Sequence, residues 1–134
     1  WARHATLAQA IWAACETWGQ IDAPEQGLRM NVTDPALRSH AVTALQLPAP
    51  RASELRAWLE QNLGLTLGIG LGLAPAGSPA WHGYFRLGHM GHVNGQMIMG
   101  LLGGIETGMQ ALEIPHGAGG LSAAAQALAA GAQG

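Results

Sequence analysis

Helical and strand-like apolar patterns alternate along this chain of 134 residues, and their order restricts the fold more than any single motif does. Apolar residues recur at helical spacing in four segments: the N-terminus to Gly19, Ser53–Gly64, Asn94–Leu112 and Leu121–Gly131. Strand character occurs in four others: Leu28–Val32, Ala41–Leu47, Leu65–Gly72 and Tyr84–Met90. This order predicts one α+β domain, with a small, mostly antiparallel sheet and helices packed on one face.

The ends of the helices are marked by residues with known capping preferences. Ser53 can cap the second helix at its N-terminus, while Gly19 and Gly64 can end the first and second helices. In the third helix, Gly100 and Gly108 flank a further glycine at position 104 with a spacing of four residues. Each glycine costs a helix interior about 1 kcal/mol relative to alanine, so the pattern predicts close packing on the sheet or on another domain.

Composition points to a surface that something else covers. Apolar residues make up 49% of the chain and charged residues only 10%, where about a quarter is usual. We therefore expect a large apolar face that another domain or a second copy buries. The net charge of -2 gives no sign of a nucleic-acid or anionic membrane partner. Polar residues interrupt the third helix, so no membrane-spanning segment is predicted.

The cysteine and lysine content limits the chemistry of the chain. Cys15 has no second cysteine to pair with, so we interpret it as a small buried residue in a reducing, cytoplasmic compartment. No secretory signal is visible, and a start at Trp1 suggests a piece of a longer polypeptide. All six cations are arginines, so this chain alone cannot form a Schiff base through a lysine amine.

Two motifs resemble ligand sites but have simpler interpretations. Gly68, Gly70 and Gly72 lack the spacing of a dinucleotide-binding loop, and we interpret them as tight strand packing or a bulge. His89 and His92 are three apart, which suits a metal, but no acid or cysteine nearby completes a ligand set. The alternative is two histidines at a turn between a strand and a helix.

Arg86 is the strongest candidate for a binding residue. It lies in an apolar strand between Phe85 and Leu87, and the nearest acids along the chain are Glu60 and Glu106. A guanidinium keeps its charge, so burial without a partner is costly. Either the fold brings an acid to Arg86 in a structural salt bridge, or Arg86 binds an external anion such as a carboxylate.

Four segments in the same order resemble one protein family. The stretch YFRLGHMGHVNG contains Arg-Leu-Gly-His-Met-Gly before a long helix, as class V pyridoxal-phosphate aminotransferases of the alanine/serine–glyoxylate group do. That group includes the pyridoxamine–pyruvate aminotransferases. The other matching segments are Arg38–Pro48, Leu63–Gly72 and Gly100–Gly120. One departure is the longer stretch APAGSPAWHGY, for which two interpretations stay open: it brings Trp81, His82 or Tyr84 near a substrate entrance, or it is simply a loop.

The resemblance implies that residues 1–134 form the C-terminal small domain of a fold type I aminotransferase. It implies that Arg86 binds the α-carboxylate of the amino acid and of the 2-oxo acid. The lysine and the other groups that bind pyridoxal phosphate would lie in a large domain that this chain lacks. No cofactor is expected on the chain alone, which would be inactive, and the parent enzyme would be a cytoplasmic homodimer.

A second hypothesis comes from a different class of protein. The chain could be a stand-alone domain that has an aminotransferase-like fold and binds a ligand or a protein partner. A lysine-bearing cofactor domain in the same polypeptide would favour the aminotransferase. The low charged fraction also favours it.

Overall fold

A computed structural model of the chain describes residues 2–31, 34, 36, 38, 42–69, 82–88 and 94–133. The helices are α1 (Ala2–Trp18), α2 (Arg51–Leu63), α3 (Gly95–Ala111) and α4 (Gly120–Gln133). The strands are β1 (Arg29–Met30), β2 (Val42–Gln46), β3 (Gly68–Ile69) and β4 (Tyr84–Gly88). A short 3-10 turn at Pro24–Gln26 lies between α1 and β1.

The four strands form one antiparallel sheet in the order β1-β2-β4-β3, with β2 and β4 at its centre. Successive side chains of a strand point to opposite faces. Leu45, Phe85 and Leu87 are buried on one face, whereas Ala44 and Arg86 on the other face are only half-buried. The helices lie on the side of the buried face, where α1 and α2 contact the strands and α3 and α4 pack against other helices. This arrangement confirms the predicted α+β fold.

The core joins the helices to that face of the sheet. Ile11 and Trp18 of α1, Phe85 of β4 and Ile105 of α3 are each 0% exposed. Burying each large apolar side chain contributes about 1.5–3 kcal/mol to folding. The alanine-rich α4 lies along α1, where Ala124 is also fully buried. Small residues on α4 allow this close approach.

Helix ends follow local chemistry in two cases and not in a third. The Asn94 side chain accepts a 2.9 Å hydrogen bond from the Met97 N–H and caps α3. Gly64 has a φ of 66°, the left-handed conformation that glycine adopts freely, and it ends α2. The prediction for Ser53 is wrong: α2 begins at Arg51, and the Ser53 Oγ lies 2.8 Å from His82 Nδ1 instead.

The strands are shorter in the structure than the patterns predict. β1 and β3 have two residues each, and Leu28 and Leu67 are buried without being part of a strand. The remainder of the predicted strands, residues 32, 41, 70–72 and 89–90, lies outside the described residues.

Two glycines of α3 allow close packing, but against α2 and the residue Leu65 just after it, and not against the sheet. A Cβ at Gly108 would stand 2.7 Å from Leu55 Cδ1, and one at Gly104 would stand 2.8 Å from Leu65 Cδ2. A Cβ at Gly100 would meet nothing within 4 Å. The predicted close packing therefore applies to the second half of α3.

The exposed apolar surface is smaller than the composition predicts. In the described part of the chain, the exposed large hydrophobic side chains are Leu63 and Met97. Among the helices in these ranges, none combines the length and the apolar character needed to cross a bilayer. Within the described residues, the low charged fraction thus goes with many glycines and alanines rather than with a broad exposed apolar face.

Candidate functional site

The face of the sheet opposite the helices carries the candidate site, and we call it the open face. From β4 it includes Tyr84 and Arg86, and from β2 it includes Ala44 and Gln46. All four side chains are half-buried, in contrast to the buried residues that alternate with them. Arg29 and Asn31 continue this face on the β1 side, and Gly68 continues it on β3.

Arg86 lies in the middle of the open face between two small residues. Its Cα partners are Ala44 on β2 and Gly68 on β3. Neither neighbour has atoms beyond Cβ, so neither strand fills the space directly beside Arg86. Gly68 is also needed for the pairing itself, because a Cβ there would stand 3.1 Å from the Arg86 carbonyl oxygen. This contact agrees with the interpretation of Gly68 as a strand-packing residue.

The sequence left open whether Arg86 pairs with an acid of this chain or binds an external anion, and its surroundings bear on that choice. Of the two acids nearest to it along the chain, Glu106 accepts a 3.0 Å hydrogen bond from Trp18 Nε1. Glu60 is exposed on α2. Arg86 also makes a polar or electrostatic interaction within the chain. A carboxylate ligand would therefore add to that interaction or replace it.

The residues that precede Arg86 hold the start of β4 in place. The Leu47 N–H donates to the Gly83 carbonyl oxygen over 2.8 Å, which extends the pairing of β2 with β4. His82 Nδ1 lies 2.8 Å from Ser53 Oγ at the first turn of α2. Tyr84 is on the open face two residues from Arg86, opposite Gln46. Trp81, the other candidate of this segment, lies outside the described residues.

The candidate metal and nucleotide motifs fall largely outside the described residues. These include His89, His92, Gly70 and Gly72. Within the described part of the chain, no group of three or more histidine, cysteine, aspartate or glutamate side chains could hold a metal ion. His116 Nδ1 lies 2.8 Å from the Ile114 carbonyl oxygen, to which it donates.

A second feature, which the sequence did not reveal, is an open cleft at the edge of the sheet. Its volume is about 510 Å³, and we call it the edge cleft. Its polar lining residues are Glu16, Arg29, Asn31, Arg38 and Gln46. They come from four separate segments of the chain, so only the tertiary structure brings them together.

Arg38 of the edge cleft contacts two residues of α1. Arg38 Nη1 lies 2.5 Å from Glu16 Oε1, and the guanidinium stands 5.3 Å from the centre of the Trp12 ring. Cys15 also lines the edge cleft and is buried, as its sequence context predicts. Burial, together with the nearby Glu16 carboxylate, raises the pKa of the Cys15 thiol far above its ordinary value, although Arg38 opposes this. The thiol is therefore neutral and unreactive.

Comparison with known proteins identifies what the chain is similar to. No family model matches it. It is 35% identical over 108 residues to serine–glyoxylate aminotransferase of Arabidopsis thaliana. The match covers 78% of this chain and 23% of that protein, so the chain spans about a quarter of its relative.

Two solved structures share the fold. Ureidoglycine–glyoxylate aminotransferase of Bacillus subtilis matches with a TM-score of 0.73 and 21% identity, over 93% of this chain and 29% of its own. Pyridoxamine–pyruvate aminotransferase of Mesorhizobium loti matches with a TM-score of 0.74 and 23% identity, over 97% of this chain and 30% of its own. The chain is thus a homologue of part of serine–glyoxylate aminotransferase, and it has the fold that these aminotransferases share.

Proposed function

We propose that residues 1–134 are the C-terminal small domain of a class V aminotransferase, and that Arg86 binds the α-carboxylate of its substrates. The homology to serine–glyoxylate aminotransferase supports an amino-group transfer between an amino acid such as serine or alanine and a 2-oxo acid such as glyoxylate or pyruvate. The chain spans 23% of that relative, so a larger domain of the same polypeptide would supply the remaining part of the active site.

We propose that this chain does not hold pyridoxal phosphate on its own. The sequence has no lysine, and the cofactor is held in such enzymes through a lysine amine. The cofactor would therefore bind to the large domain, and the 134-residue chain alone would catalyse no transamination. We further propose that the parent enzyme is a cytoplasmic homodimer, as the family resemblance implies.

The position of Arg86 on the open face is the observation that carries this proposal. A guanidinium is charged at any physiological pH, and its planar fork can donate two parallel hydrogen bonds to one carboxylate. Ala44 and Gly68 leave space on both sides of the strand that bears it. Amino and oxo acids both carry the α-carboxylate, so one arginine can orient the donor and the acceptor in turn.

The test is Arg86→Gln in the complete polypeptide. Charge-assisted hydrogen bonds contribute about 1.5–3 kcal/mol, so the KM for the amino donor and for the oxo acid should each rise about 10- to 100-fold. Arg86→Lys should recover only part of this loss, because an ammonium cannot form the two parallel bonds. Arg56→Gln on α2 removes the same charge elsewhere and serves as the control. Unchanged KM values in Arg86→Gln would exclude the role.

A further inference from the structure

Tyr84 and Arg86 occupy neighbouring positions of β4 on the open face. They are two residues apart in one strand, so about 7 Å separates their Cα atoms. Their partners on β2 are Gln46 for Tyr84 and Ala44 for Arg86. A small amino acid that is held at Arg86 by its α-carboxylate is therefore within reach of the Tyr84 side chain.

Four open-face positions adjoin Arg86, either along its strand or directly across from it. Ala44 and Gly68 lie across from it on β2 and β3, while Tyr84 and Gly88 precede and follow it along β4. Alanine and glycine have no atoms beyond Cβ. Of these four positions, Tyr84 is thus the one that brings a polar group beside a ligand at Arg86.

The Tyr84 hydroxyl is available to such a ligand. The residue is half-buried, and within the described part of the chain its hydroxyl forms no hydrogen bond. The amide of Gln46 is directed towards β1, where Gln46 Nε2 donates to Asn31 Oδ1 over 2.5 Å. A tyrosine hydroxyl that is partly shielded from water usually has a hydrogen-bond partner. A ligand on the open face can supply that partner.

We propose that Tyr84 selects the side chain of the amino donor by forming a hydrogen bond with a hydroxyl group on it. This inference rests on the proposed function, because it takes the α-carboxylate of the donor to be bound by Arg86. A phenol can both donate and accept, so it can pair with the hydroxyl of serine in either sense. Alanine has no such group and leaves the Tyr84 hydroxyl without a partner. A site that hydrogen-bonds a substrate hydroxyl disfavours an analogue that lacks it, so the expected preference is for serine over alanine.

The experiment compares serine with alanine as the amino donor of the complete polypeptide. The value of kcat/KM is measured for each donor, with glyoxylate as the acceptor, in the unmodified enzyme and in Tyr84→Phe. Because this substitution removes only the hydroxyl, kcat/KM should fall about 3- to 10-fold for serine and stay within about twofold for alanine. The ratio of the two values is decisive, since a general disturbance of the sheet would lower both of them alike.

Two further variants separate the role of Tyr84 from that of Arg86. Arg86→Gln should lower kcat/KM for both donors alike and leave their ratio unchanged, because both carry the α-carboxylate. Thr107→Val removes a hydroxyl from an exposed position of α3 and should change neither value.

The possible failures are distinguishable. An unchanged ratio of serine to alanine in Tyr84→Phe would overturn the role of Tyr84, whatever Arg86→Gln shows. A lowered ratio in Tyr84→Phe, together with unchanged values in Arg86→Gln, would support the contact with Tyr84 and contradict the role of Arg86. A complete enzyme that accepts neither donor would overturn both.

Discussion

Trp18 Nε1 of α1 donates a 3.0 Å hydrogen bond to Glu106 Oε1 of α3. This contact ties the first helix to the third, and it gives a structural role to one of the two acids nearest to Arg86 along the chain. Trp18 is 0% exposed and Glu106 is half-buried, so the Glu106 side chain supplies the acceptor for an indole N–H that is shielded from solvent. The bond therefore matters both for stability and for the interpretation of Arg86.

The first prediction concerns this bond. Glu106→Ala should lower the free energy of unfolding by about 1–3 kcal/mol, because it leaves a buried donor unsatisfied. Glu106→Gln should cost less, since the amide oxygen can still accept. Urea denaturation provides the measurement, and Glu60→Ala, at an exposed position of α2, should change stability by no more than about 0.5 kcal/mol. Equal effects of Glu106→Ala and Glu60→Ala would contradict the assignment.

A matched pair of glycines in α3 should respond in opposite directions to the same substitution. Gly100→Ala should stabilise the chain by about 0.5–1 kcal/mol, because the added methyl group meets nothing within 4 Å and reduces backbone entropy in the unfolded state. Gly108→Ala should destabilise it by about 1–3 kcal/mol, since Leu55 and Leu59 are fully buried and cannot move away easily. Thermal or urea unfolding checks both. A stabilising Gly108→Ala would show that the packing of α2 on α3 is looser than described.

The space beside Arg86 can be filled from β2. Ala44→Leu places a large side chain directly opposite Arg86 on the half-buried open face. The KM for both substrates of the complete enzyme should rise several-fold, whereas the free energy of unfolding should change by only about 0.5 kcal/mol. Ala44→Ser is the control, because it keeps the small volume and should leave the KM unchanged. If Ala44→Leu leaves both KM values as they are, substrate does not approach from this side.

The buried Cys15 thiol predicts a pH dependence of stability. Its pKa is raised in the folded state, mainly by burial, whereas a cysteine in the unfolded chain has a pKa of about 8.5. Above that pH the unfolded state loses a proton that the folded state keeps, so the free energy of unfolding should fall by up to about 1.4 kcal/mol per pH unit. Urea denaturation between about pH 8 and 10.5 should give a shallower decline for Cys15→Ala than for the unmodified chain. Parallel pH profiles would contradict the buried, protonated thiol.

Parts of the fold were predictable because they depend on neighbouring residues. Asn94 caps α3 and Gly64 ends α2, and both features follow from local backbone chemistry. Ser53 has the same chemical character as a cap, but its hydroxyl contacts His82, which is 29 residues away. A sequence pattern cannot show that a distant side chain will take the place of a backbone donor.

The candidate site could be predicted only in part, for the same reason. Arg86 is recognisable as a cation in an apolar strand, yet its two small neighbours follow from a strand register that the pattern does not specify. The edge cleft is a clearer case, because Arg29 and Arg38 have ordinary sequence surroundings. Only the packing of α1 against β1 brings these two residues to one cavity.

The most direct test of the account changes Arg86 and the ligand carboxylate together in a double-mutant cycle. Dissociation constants of alanine and of alaninamide are measured for the complete enzyme and for its Arg86→Gln variant. If Arg86 binds the carboxylate, the preference for alanine over alaninamide should fall about tenfold or more in the variant, a coupling of about 1.4 kcal/mol. A preference that stays the same within about twofold would show that Arg86 does not contact the carboxylate.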